Sequence, residues 1–357
     1  MISSIFQKPL AQPAKSLFQR PEARPIPLDG FQASEPLSTF KPPILTAMPK
    51  VETLTQTGAQ AARAAALAAL PAPLAAAYQA ILTVVSDSPH GSTQLAQLLE
   101  QGKLTGSTLE NLQNLTQQPR AAGLDGTTLT RETVAILSAA DQAIWQGDRF
   151  TCGAANLERQ LAESPEFFTS LISNLSGPEG KAQLLSGFTL QRPAGALSDD
   201  GSGRNSADRL VQSTIMATAG AARGDYDVFR DRFGEDKDPG LRIGEIAAMT
   251  AVVQNQPQVV IKYDSKSAQP AQSLITQLKP GENFQTAMTN WEGKEHMLLF
   301  QGANEGVASY FDPADHAQHM IPLQKFLWKT EYLVLPKSLV ERVSFAPESV
   351  HSEVAPG

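Results

Sequence analysis

Helical periodicity comes first along this chain and strand-like runs come last, and that order limits the fold more than any other feature of the sequence. Residues 57–80 are dominated by alanine, which gives high helix propensity with little side-chain volume, and are interrupted at Pro71 and Pro73. Helices are expected again over 93–100, over 107–115 with Ser107 and Glu110 at capping-box spacing, and over 130–142. After Cys152 the pattern predicts helices over 154–162, from the Ser164-Pro165 pair to 175, over 207–222 and over 243–254. Strand patterns follow at 258–263, 296–301, 306–312 and 331–335. Helices followed by strands predict an α+β fold.

Residues 1–55 carry nine prolines, each of which removes a backbone donor and restricts its predecessor to extended conformations. This segment reads as a disordered Pro-rich tail, either a solvated linker or a docking segment for a secretion machine or chaperone. It lacks the continuous apolar region of a Sec-type signal peptide. Residues 56–140 form an expected helical accessory region, in which Leu95, Leu98, Leu99, Leu109, Leu112 and Leu115 read as core. The catalytic domain is expected over 141–340, and 341–357 reads as a disordered C-terminal tail.

Composition narrows the function. Against 36 acidic residues stand 29 basic ones, a net charge of −7, so there is no surplus to neutralise phosphates and no nucleic-acid partner is expected. No stretch approaches the ~18 apolar residues of a membrane span. One cysteine excludes an internal disulfide and a cysteine-cluster zinc site. Without a signal peptide it suits a reducing cytoplasm, that of the producer or of a target cell reached through a specialised secretion system. The Gly/Ser/Asp-rich segment 194–205 reads as a loop and lacks the Gly-Lys-Ser/Thr ending of a phosphate cradle; no cofactor is expected. The acidic residues Asp225, Asp227, Asp231, Glu235, Asp236 and Asp238 lack the central glycine of a calcium loop and read as a solvated charged face.

The remaining question is whether Cys152 is a buried apolar filler or a nucleophile. Of the five histidines, His90 lies in a turn and His351 in the C-terminal tail, while His316 and His319 follow a strand end and read as solvated. His296 opens the run Glu295-His-Met-Leu-Leu-Phe-Gln301, where a strand would hold its ring rigidly. The next strand ends in Asp312-Pro313, and an antiparallel connection through 302–306 would bring Asp312 beside His296, where a carboxylate orients an imidazole and stabilises its cation. Cys152 stands at the start of a helix, whose partial positive charge favours a thiolate. Gln146, six residues upstream, is a candidate oxyanion donor together with the Cys152 backbone N–H. Trp145 reads as packing, and Trp291-Glu-Gly-Lys-Glu295 as either a cleft loop or a polar turn.

Gln146-Gly-Asp-Arg-Phe-Thr-Cys152-Gly, His296-Met-Leu-Leu-Phe and Phe311-Asp312-Pro313 resemble the papain-like cysteine peptidase superfamily, and most closely its bacterial leader-peptide-cleaving branch. The Cys-to-His separation of 144 residues lies in the span of about 130 to 150 of papain-like enzymes. The resemblance implies a helical half carrying the cysteine and an antiparallel sheet carrying histidine and aspartate. Cys152 then corresponds to the nucleophile, His296 to the base and acid, Asp312 to the orienting residue and Gln146 to the oxyanion donor. It implies a protein or peptide substrate, as for a bacterial effector, and hydrolysis through an acyl-enzyme. The second cysteine and aromatic that follow the nucleophile in plant papains are absent, with Ala155 and Asn156 there instead. Glutamine deamidation and acyl transfer use the same triad. A non-enzymatic interaction protein with a degenerate peptidase domain is the rival from another class, and 56–140 as a pro-segment or lid remains a further possibility.

Overall fold

The computed structural model describes residues 64–65, 67–262, 277–278, 282–289 and 295–342. The tail over 1–55, Trp291, and the C-terminal segment with His351 lie outside them. The fold is mixed, with helices preceding an antiparallel sheet, as the order of patterns predicts.

Residues 64–65 and 67–68 are helical, and four longer helices follow: α1 (Ala72–Val85), α2 (Gly91–Glu100), α3 (Gly106–Gln117) and α4 (Gly126–Ser138), then the single turn α5 (Ala140–Ala143). The helical pattern breaks at Pro71, as expected, but not at Pro73, which sits in the first turn of α1, where a proline costs no hydrogen bond. The expected capping box at Ser107 and Glu110 is not used. Thr105 caps α3 instead, its hydroxyl accepting from the Thr108 N–H at 3.2 Å, and the helix starts one residue earlier than its apolar periodicity does. The leucines at 95, 98, 99, 109, 112 and 115 are buried, in one apolar cluster with residues of the next three helices. These are α6 (Cys152–Leu161), α7 (Pro165–Ser176) and α8 (Ser206–Ala219).

Between α7 and α8 lies a small hairpin, β1 (Lys181–Gln183) with β2 (Thr189–Gln191), and after α8 a second one, β3 (Tyr226–Asp227) with β4 (Arg232–Phe233). Helix α9 (Ile243–Gln254) then leads into the main sheet. Its strands are β5 (Gln258–Lys262), β6 (Phe284–Thr289), β7 (Glu295–Asn304), β8 (Val307–Asp312), β9 (Ala317–Pro322) and, after α10 (Leu323–Lys329), β10 (Thr330–Pro336), with α11 (Lys337–Arg342) following. The order is β5-β10-β6-β7-β8-β9, antiparallel throughout. Strands β6 and β9 and both small hairpins have no counterpart among the expected strands; β1 to β4 are two or three residues long, too short for an alternation to register.

Both faces of the sheet are covered, which is why Met297-Leu-Leu-Phe300 reads as an unbroken apolar run. Met297 packs with Ile246 and Ala247 of α9, and Leu299 joins the helical core. Leu298 and Phe300 face the other way, against Leu323 and Phe326 of α10. Strands β7 and β8 are joined by Glu305 and Gly306, both with positive φ (49° and 78°), the pattern of a type I′ turn. One feature breaks the ladder: the register slips by a residue between Phe300 and Gly302, where Gly302 takes φ 150°.

Among the described residues no helix is long and apolar enough to cross a membrane. Of the acidic residues after α8, Asp225, Glu235 and Asp238 are exposed, as the composition predicts, while Asp231 and Asp236 are engaged by the fold. Asp231 is buried and accepts from the Phe150 N–H at 2.6 Å and the Tyr226 hydroxyl at 2.7 Å, while Asp236 is bound by Arg223 and Arg242. Burial of a carboxylate is tolerated here because both its oxygens receive hydrogen bonds. The loop 194–205 is likewise structured, with a buried ion pair from Arg204 to Asp200 at 2.5 Å.

Candidate active site

Cys152 is the first residue of α6, so its backbone N–H and that of Gly153 belong to the unpaired donors of a helix start. His296 is the second residue of β7 and Asp312 the last of β8. The bulge at Gln301 decides whether the last two can meet. Counting back from the turn with a regular ladder, Asp312 would stand opposite Leu299, on the helix-packed face; with one extra residue in β7 it stands opposite Leu298, the parity of His296. His296 Nε2 and Asp312 Oδ1 are 2.6 Å apart, and Asp312 Oδ1 also accepts from the Ala314 N–H at 2.9 Å. Since the carboxylate only accepts, Nε2 carries the proton and Nδ1 is the nitrogen left for the sulfur. Cys152 and His296 lie close enough for each to shift the other's titration, and the N–H groups of Met297 and Gly153 favour the Cys152 thiolate. On the far side of the nucleophile, the Asn156 amide donates to the Met297 carbonyl at 3.1 Å, riveting α6 to the strand one residue beyond His296.

Burial pushes the Cys152 thiol up, but the hydrogen bond and positive charge of His296, with the Met297 and Gly153 N–H groups, outweigh it and leave the thiol below its ordinary value. Burial pulls His296 down, yet the bonds to Asp312 and Cys152 raise it to about 10. Asp312 is held below the ordinary carboxylate range because His296 outweighs its desolvation. The three shifts describe one arrangement, a thiolate–imidazolium pair braced by a carboxylate.

Gln146 is held next to the Asp312 end of the site. Its backbone N–H donates to the Pro313 carbonyl at 3.0 Å, and the Trp145 indole N–H donates to the Ala314 carbonyl at the same distance. The Gln146 side-chain amide gives one hydrogen to the Arg149 carbonyl at 2.8 Å, which leaves the second for an oxyanion; its Oε1 is buried without a protein partner. His316 and His319 stay outside the triad. His316 contacts the Gln142 carbonyl, and His319 pairs with Asp315 at 2.8 Å and stacks on Tyr310. His90, the residue before α2, remains in the accessory region.

No family model, curated protein or solved structure matches this chain. The site therefore rests on its own geometry. Among the described residues Asp312, Asp315 and His319 place one ligand atom each within 4.8 Å of one another, but Asp312 is engaged by His296 and His319 by Asp315.

Several supporting residues come from the stretch between 175 and 296 in which the sequence offers no recognisable motif. Gly147, at φ 65°, lies against the Ser202 carbonyl so closely that a Cβ would stand 2.4 Å from it. The Asp148 N–H donates to that carbonyl at 3.3 Å, and the Arg149 guanidinium donates to the Asp200 carbonyl. Phe150 is tied to Asp231, leaving its ring 54% exposed two residues before the nucleophile. The signals for this platform were a glycine after Gln146 and an arginine within a Gly/Ser/Asp loop, neither of which says what it will touch.

Proposed function

We propose that this protein is a cysteine peptidase of papain-like design acting on a protein or peptide substrate. The observation that carries the reading is the imidazole of His296 placed between the Cys152 sulfur and the Asp312 carboxylate. A degenerate domain has no reason to keep all three in register across 160 residues of chain from 152 to 312.

The Cys152 thiolate attacks the scissile carbonyl carbon, forming a C–S bond while the carbonyl electrons move to oxygen. The Cys152 backbone N–H and the free Gln146 amide hydrogen stabilise that oxyanion. Imidazolium His296 gives its Nδ1 proton to the leaving amine as the C–N bond breaks, leaving a thioester. The neutral imidazole then takes a proton from water, which attacks the thioester and releases the acid. Asp312 keeps the ring in the tautomer and orientation that both steps require.

The test is alkylation of the thiol by iodoacetamide at pH 6. The wild-type protein is expected to react faster than a free thiol, and His296→Ala to fall to the free-thiol rate; Cys152→Ala and His296→Ala each abolish turnover with the fold unchanged. Wild-type labelling no faster than a free thiol at that pH would sink the proposal.

A further inference from the structure

We infer that Gln212 is a positioning residue, which holds the segment from Trp145 to Thr151 against α8 and thereby sets where the Cys152 sulfur stands. The inference rests on the nucleophilic reading of Cys152. Gln212 is fully buried, and its amide is saturated by four hydrogen bonds. Its nitrogen donates to the Trp145 carbonyl at 3.1 Å and to Glu158 Oε2 at 2.9 Å. Its oxygen accepts from the Thr151 hydroxyl at 2.8 Å and from Arg204 at 3.3 Å. Two donors and two lone pairs are all that a carboxamide has, so its orientation is unambiguous.

The partners matter more than their number. Trp145 precedes Gln146, the candidate oxyanion donor, and Thr151 precedes Cys152; Glu158 lies in α6, the helix that the cysteine starts. Asp208, four residues earlier and so on the same face of α8, accepts from the Trp145 N–H at 3.1 Å. One helix face thus grips both backbone groups of Trp145 and the side chain of Thr151. A sulfur that must meet an imidazole on a separate strand requires such bracing, since a site is only as accurate as the groups that support it. Thr151 makes no side-chain cap to α6, so its hydroxyl serves this anchor alone among the described contacts.

Three variants test the assignment by the pH profile of Cys152 alkylation. Thr151→Val removes one bond at nearly constant volume, Thr151→Ser keeps the hydroxyl, and Gln212→Met removes all four bonds at similar length. For Thr151→Val we expect about a tenfold loss of rate at pH 6, the size of effect one buried hydrogen bond exerts, and a rate at pH 9.5 close to wild type. Thr151→Ser should restore the wild-type profile, and adding Thr151→Val to Gln212→Met should cost nothing further. A Thr151→Val profile that superimposes on wild type, even with a lowered melting temperature, overturns the inference and leaves Gln212 a merely structural residue. Wild-type reactivity no greater than that of a free thiol takes down the nucleophilic reading as well, so the two failures are told apart.

Discussion

Replacing Asp312 by Asn keeps the shape of the triad and removes its fixed negative charge. The carboxylate lies 2.6 Å from His296 Nε2, and the two side chains retain 22% and 17% exposure. At about 4 Å between charge centres and an effective dielectric of about 20, their attraction is about 4 kcal/mol. At about 1.4 kcal/mol per pKa unit this is at most about three units, and partial solvent access brings it nearer two. His296 stands at about 10, so in Asp312→Asn its midpoint should fall to about 7 or 8. The thiolate–imidazolium pair exists between the lowered pKa of Cys152 and the raised pKa of His296. Removing the carboxylate lowers the upper bound directly, while the lower one, set by a thiol that faces an imidazolium still charged at that pH, does not rise. The window therefore closes from above. Titration of carbon-13-labelled histidine by NMR, assigned with His296→Ala, reads the upper bound, and alkylation of Cys152 between pH 4 and 8 reads the lower. A His296 midpoint within about half a unit of wild type in a folded Asp312→Asn protein would refute the charge argument.

Two further outcomes follow from buried groups and from the register of the sheet. Burial raises Glu158 to about 8, so the folded state holds a proton that the unfolded chain loses near the ordinary glutamate value; stability should fall as pH rises from about 4.5 through about 8, by at most about 1.4 kcal/mol per unit for that proton. Chemical unfolding at several pH values should show Glu158→Gln with a shallower decline than wild type, and equal slopes would assign the decline to other groups. Deleting Gln301 removes the one residue between Leu299 and Asn304 without a partner on β8 and leaves Phe300 opposite Tyr310 and Leu299 opposite Phe311, so Asp312 keeps the parity of His296. His296 should then titrate at its wild-type midpoint, and a fall toward the Asp312→Asn midpoint in the same NMR titration would refute the register argument.

The elements that the sequence made legible are those whose signal lies within a few residues. Strand β7 announced itself by its apolar run, α9 by its periodicity over 243–254, and the hairpin between β7 and β8 by Gly306 after a polar pair. The distance of 144 residues from Cys152 to His296 and the Asp-Pro after the next strand then sufficed to single out His296 and Asp312, which the fold places 2.6 Å apart. The bulge is of another kind. Regular alternation from the turn would have put Asp312 on the wrong face, and nothing in Phe300-Gln-Gly302 distinguishes an extra residue from an ordinary strand pair except a glycine, which strands accept at some cost. What makes the slip favourable is long-range: Leu299 and Phe311 must both reach the helical core, while Phe300 and Tyr310 must both face α10, and Gln301 finds Asp141 at 3.2 Å. The same holds for the loop before Cys152, whose anchors at Asp200, Ser202, Asp208, Gln212 and Asp231 follow the residues they hold by 51 to 81 positions. Chemistry-bearing residues are readable because few residue types can perform the chemistry. Their supports are not, because any buried donor or acceptor of suitable reach can hold a loop, and only the folded chain selects which one does.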